Sequence, residues 1–235
     1  MRAHYTFWPI LVCLLSLLAS STTYATHVRA GEITTRRISP DRLTYEITLT
    51  AYFDEVGGVD AANRADEVDF CLGDGTTLKI RRLPRIYINS RTTSINIYRF
   101  QYTYGSTGTY QISANIVNRN DNTINLRQPS RDIPFWIRTT IQVNAFLGLN
   151  ATPILLNPPL DSARVGQKFC HNPVAFDVDG DSLAYRMAIP QESAANICRG
   201  FDVVGYRDPA RGINPNAQNE ATNGPATLTI NPLTG

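Results

Sequence analysis

TSINIYRFQYTYGSTGTYQISANIV, residues 93–117, holds two alternating runs of β-branched and aromatic residues on either side of a glycine-bounded turn, Gly105-Ser106-Thr107-Gly108. Successive side chains of a strand point to opposite faces, so this period of two predicts strands over Thr93–Tyr104 and Thr109–Val117. The pattern recurs at Leu43–Phe53, Val68–Leu72, Thr76–Ile80, Phe135–Val143, Ser182–Met187 and Ala226–Ile230. Turn residues separate these runs: Gly57-Gly58, Gly73-Asp74-Gly75, Asn118–Asn122 and Asp179-Gly180. No segment after residue 25 sustains a helical period. Many short strands with Gly and Asn turns predict an all-β protein built from antiparallel sandwiches.

The beginning of the chain reads as an export signal. Arg2 and His4 are followed by an apolar run, Pro9–Ala19, and by small residues before Ala25. That run is well short of the about 20 residues that a membrane-spanning helix needs, which favours a cleaved signal, Met1–Ala25, over an uncleaved anchor. The expected location is therefore secreted or cell-surface, with no transmembrane segment after cleavage. Formal net charge is +2, and loss of Arg2 leaves +1 because residues 1–25 carry no Asp or Glu. So small and scattered a charge gives no footprint for nucleic acid. Cys71, Cys170 and Cys198 remain in the exported chain, an odd number in a disulfide-permissive compartment. Cys170–Cys198 is the expected bridge, tethering the loop between them, with Cys71 expected as a buried strand residue.

FLGLNATPILLNPP, residues 146–159, interrupts the alternation with three prolines and reads as a linker. It divides the chain into a sandwich over 26–145 and a second one over 160–235. The second ends at a turn after a strand, so the chain is expected to be the N-terminal part of a longer protein. Within it, AFDVDGDSLAY crowds Asp177, Asp179 and Asp181 around one glycine. On an extended segment these carboxylates share a side, a pattern suited to Ca2+, which takes about six to eight oxygens. Asn150 or Asn157 would help to complete such a shell. The other reading is an Asp-Gly turn whose side chains cap their own backbone. The long segment 189–225 is rich in Asn, Pro and Arg and reads as a surface loop, with Phe201, Tyr206 and Arg207 as candidate partner-binding anchors.

Little in the chain suggests catalysis. The sequence has no GxSxG or HExxH pattern, and Cys170 and His171, as neighbours on an extended segment, would face opposite ways. Gly73-Asp74-Gly75 lacks the lysine and helix start of a phosphate cradle and suits a tight turn instead. No catalytic residue is assigned.

CLGDGTTLKI at 71–80 followed by YRFQYTYGSTGTYQISANIVNRN at 98–120 resembles the polycystic-kidney-disease (PKD) repeat, matching its glycine turn at Gly73–Thr76 and its later strands at Tyr104 and Gly108–Tyr110. The aromatic expected two residues before the turn glycine is displaced to Phe70. FDVDGDSLAY and TLTINPLTG are similar to cadherin-like and related immunoglobulin-like bacterial repeats. HVRAGEIT, YEITLTAYFD, PILLNPP, VGQ, HNPVAFDVDGDSLAY and TLTINPLTG, in that order, resemble the start of secreted, gliding-motility-associated surface proteins of the Bacteroidetes type. The resemblance implies two tandem immunoglobulin-like sandwiches and a non-enzymatic adhesive stalk or spacer whose partner is a surface protein or polysaccharide. The alternative is an accessory carbohydrate-binding portion of a larger secreted hydrolase, with Tyr87, Tyr98, Tyr102 and Trp136 as a sugar-stacking face.

Overall fold

A computed structural model describes residues 28–117, 119–164, 167–211, 218–219, 222–225 and 228–235, so the segment Met1–Ala25, expected as an export signal, lies outside it. Eight strands form its main body: β1 (Val28–Arg37), β2 (Thr44–Asp54), β3 (Glu67–Cys71), β4 (Thr77–Arg81), β5 (Ile86–Ile88), β6 (Thr93–Thr103), β7 (Gly108–Ile116) and β8 (Phe135–Val143). They make two four-stranded antiparallel sheets, ordered β1-β2-β6-β5 and β4-β3-β7-β8. The expected all-β antiparallel class is what forms. No helix among the described residues is long and apolar enough to cross a membrane.

The pleat explains the layering. On β2, Ile47, Leu49, Ala51 and Phe53 are each 0% exposed, whereas Glu46, Thr48 and Thr50 alternate with them on the outer face. Val68, Phe70, Ile112, Ala114, Ile116, Ile141 and Val143 of the second sheet close the same core from the other side. Two stacked sheets, each apolar on one face, thus share a single core.

Polar ties fasten the sandwich at either end. At the β3–β4 turn the Asp74 carboxylate accepts from the Thr76 N–H (2.9 Å) and from the Tyr102 hydroxyl (2.6 Å) on β6 of the opposite sheet. Gly73, at φ +87°, takes the turn because a Cβ there would lie 2.7 Å from the Gln111 backbone nitrogen. At the far end Asp54 pairs with Arg29 at 2.6 Å and accepts from the N–H groups of Val56 and Gly57. Beside it, the short helix α1 (Val59–Arg64) is held through the Ala62 carbonyl by Arg82 and Arg85, and Arg85 also forms a buried ion pair with Glu55 at 3.0 Å.

The first part of the expected linker 146–159 is bound to the sandwich. The Arg37 N–H donates to Asn150, Thr152 donates to Thr35, and the buried Arg37 guanidinium donates to the carbonyls of Pro40, Ala145 and Gly148. Further on, β9 (Ile154–Leu155) pairs with β10 (Ala175–Phe176), β11 (Gln191–Glu192) with β12 (Phe201–Asp202), and β13 (Gln218–Asn219) with β14 (Thr222–Pro225). Among the described residues 160–235 no second two-sheet core forms. Residues 182–187 are not a strand: Tyr185 bonds Pro232, and no ladder lies beside them. The expected strand Ala226–Ile230 lies partly outside the described residues, and 228–230 form no strand, with the Leu228 N–H donating to the Pro209 carbonyl.

Removing a core side chain should cost far more than removing an outer one on the same strand. Leu49→Ala is expected to lose about 2–5 kcal/mol, and Thr48→Ala no more than about 0.5 kcal/mol, in urea unfolding.

Acid sensitivity follows from the two polar ties. Burial disfavours the charged form of both Asp54 and Asp74, yet their hydrogen bonds, with Arg29 at Asp54 and Tyr102 at Asp74, outweigh it and hold both below the ordinary value of 3.8. A depressed carboxylate stabilises the fold fully above its unfolded value and loses that contribution as pH falls through the folded value. The unfolding midpoint should therefore drop below about pH 4, and Asp54→Asn should make that acid limb shallower.

Candidate functional site

The outer faces of the two sheets are covered differently. On the second sheet, Phe70 takes the inward phase of β3, so Cys71 points outward beside Ser113, and Trp136 lies outward beside Asn115. Residues 190–207 run across this face as a strap. Cys198 forms a disulfide with Cys71, their Cα atoms 5.5 Å apart, within normal disulfide geometry. Gly200 lies on the Trp136 ring so closely that a Cβ would come within 2.5 Å of it. The Asn115 amide donates to Ser193 and Ala194, Arg119 donates to Gln191, and Arg127 pairs with Glu192 at 2.6 Å. Val203 packs with Leu126 and Ile133 in a small core of its own.

This geometry corrects several expectations. Cys198 bridges to Cys71 rather than to Cys170, which is an exposed free thiol. Cys71 is half-exposed rather than buried, because Phe70 occupies the core position next to it. Tyr206 and Arg207 fasten the strap: Tyr206 packs against the Val203 cluster, and Arg207 donates to the Asn125 and Ile124 carbonyls. Phe201, 50% exposed with the Arg199 guanidinium 5.3 Å from its ring, is the member of that trio left open to a partner. The proposed stacking residues do not form one open aromatic face. Tyr98 is in the core, Trp136 lies under Gly200, Tyr102 bonds Asp74, and Tyr87 is stacked by Arg91 at 4.2 Å.

Around the acidic turn, the buried Asp177 carboxylate accepts from the N–H groups of Asp179 (2.9 Å) and Asp181 (3.1 Å), while Asp179 accepts from Ala151 (2.6 Å). Two of the three aspartates thus shape backbone, and the described residues contain no cluster of three or more metal-ligating side chains. Asn150 and Asn157 lend their carbonyl and N–H groups to β1 and to Pro173. Cys170, His171 and Asp161 line a cavity of about 320 Å3, where His171 Nδ1 meets the Asp161 carboxylate.

On the first sheet the covering stands off. The outward side chains of Glu32, Thr34, Arg36, Glu46, Thr48, Thr50 and Arg99 floor a groove of about 540 Å3. Its wall is the β9–β10 ribbon with Ile154, Leu155, Phe176 and Val178; Phe176 is 50% and Val178 69% exposed. Arg36 Nε donates to Glu46 (3.0 Å) and Arg99 Nε to Thr48 Oγ1 (3.2 Å). Burial raises the pKa of Glu32, partly offset by the Leu155 N–H that it accepts at 3.3 Å. Nothing in the sequence pattern signals this groove, since its floor comes from β1, β2 and β6 and its wall from a ribbon that follows β8. Comparison of the chain with protein-family models, with curated protein sequences and with solved structures finds no match in any of the three.

Once residues 1–25 are removed, Trp136 is the one tryptophan of the two in the chain that remains, so it reports on the strap. Cys198→Ser is expected to shift its fluorescence to the red and to cost about 2–5 kcal/mol. Alkylation without reductant should label Cys170 and spare Cys71 and Cys198.

Proposed function

We propose that the chain is an exported, non-enzymatic surface module that acts as an adhesive stalk or spacer, and that its sandwich is immunoglobulin-like. The observation that carries the proposal is the strand order. With β1 to β8 taken as strands A, B, C, C′, D, E, F and G, the two sheets read A-B-E-D and C′-C-F-G, the immunoglobulin arrangement with one added strand. The Cys71–Cys198 bridge supports an oxidising compartment, where such bonds persist, and agrees with an export signal over Met1–Ala25. A second, cadherin-like module over 160–235 and a place in gliding or surface adhesion rest on the sequence motifs. Calcium at Asp177, Asp179 and Asp181 belongs to the same proposal. A raised unfolding midpoint on adding Ca2+, reversed by EDTA, supports it, and an unchanged midpoint removes it.

Export is tested by expressing the chain with residues 1–25 in a bacterial host. The expected product begins at Thr26, lies outside the cytoplasm, and has Cys71 and Cys198 joined. A cytoplasmic product that keeps Met1, with both thiols reduced, overturns the reading.

A further inference from the structure

The groove on the first sheet has an unusual mixture of surfaces. Its wall offers the exposed ring of Phe176 with Val178 and Ile154, and its floor offers threonine hydroxyls, two carboxylates and two guanidinium groups. Its volume of about 540 Å3 falls within the range of small-ligand clefts. Glu32 and Glu46 balance Arg36 and Arg99, so the floor has no net charge with which to attract a phosphate or a polyacid. A purely apolar ligand would strip water from these ionised groups without replacing their hydrogen bonds.

An added peptide strand is disfavoured as well. β-Augmentation needs a free run of sheet edge, and at the Thr35–Arg37 end of β1 the groups it would use are already engaged: Thr35 N–H with Thr152 Oγ1, Thr35 C=O with Thr152 N–H, and Arg37 N–H with Asn150 C=O. A sugar chain fits what remains. Each pyranose has an apolar C–H face that stacks on an aromatic ring and a rim of hydroxyls that both donate and accept. Carboxylates and guanidinium groups make the stronger, charge-assisted hydrogen bonds to such hydroxyls.

We propose that this groove is an oligosaccharide-binding site for neutral sugars, with Phe176 as the stacking platform and Glu32, Thr48 and Arg99 as the hydroxyl-reading groups. Glu32 is suited to accept, because one of its oxygens is engaged by Leu155 and no cation pairs with it among the described ion pairs. Arg99 and Thr48 form a donor–acceptor pair across the floor. The site is independent of the stalk reading and of the stacking face expected from Tyr87, Tyr98, Tyr102 and Trp136.

The test is an array of cello-, xylo-, manno- and chito-oligosaccharides probed with the disulfide-intact chain, followed by isothermal titration with the strongest binder. Binding should weaken about tenfold in both Phe176→Ala and Arg99→Ala and stay unchanged in Phe201→Ala. Arg99 projects outward from β6, which pairs with β2 along its whole length, so its variant remains a valid probe if Phe176→Ala disturbs the ribbon. Amide shifts on titration should centre on Thr34, Thr48 and Leu155. The proposal is overturned if no array sugar binds, if binding survives Arg99→Ala, or if the shifts centre on the strap.

Discussion

The sandwich is organised around β2, an eleven-residue strand paired with β1 on one side and β6 on the other. Its inward Ile47, Leu49, Ala51 and Phe53 are fully buried, and its outward Glu46, Thr48 and Thr50 floor the groove. One pleat therefore makes both the core and the candidate site. A slip of one residue would send Glu46, Thr48 and Thr50 into the core and Ile47 and Leu49 to solvent. Ladders on both sides oppose that slip, which is why the groove floor is as well defined as the core behind it.

How far the sequence foretold this depended on whether a segment's neighbours share its pattern. Strands β2, β3, β4, β6, β7 and β8 were legible to within about a residue at their ends, because each alternates apolar and polar side chains. Strand β1 was not, since two of its buried positions are Thr35 and Arg37, whose polar groups are satisfied only after distant carbonyls arrive. Strand β5, three residues long, and α1, six, are too short to show a period. Residues 182–187 alternate well yet form no strand, because alternation proposes a face and only a partner ladder makes it real. The bridge was misread for a related reason. Proximity along the chain favours Cys170 for Cys198, but the phase of Phe70 turns Cys71 toward the strap. The aspartates were legible as a turn, and the details of which N–H each carboxylate takes were not.

Both outer faces of the sandwich are dressed by chain that follows β8, with opposite results. The strap is fixed covalently, through Gly200 on Trp136, and by arginines 119, 127 and 207, so that face is closed. Its closeness leaves Asn115 Oδ1 and Arg119 Nε buried without a hydrogen-bond partner, a cost carried by the contacts around them. The β9–β10 ribbon touches the first sheet mainly through backbone bonds at residues 150–155 and holds its apolar side chains away from the floor. One covering acts as a lid that is sealed, the other as a wall.

The covalent link between positions 71 and 198 also sets how the polypeptide responds to load. It joins points 127 residues apart, so when the two ends are drawn apart the intervening chain lies on a closed loop that carries no tension. At about 3.4 Å per extended residue, roughly 430 Å of contour is withheld from elongation while the bond lasts. Core strands β4 to β8 sit inside that loop, and only the flanking segments, including β1 and β2, can be peeled away directly.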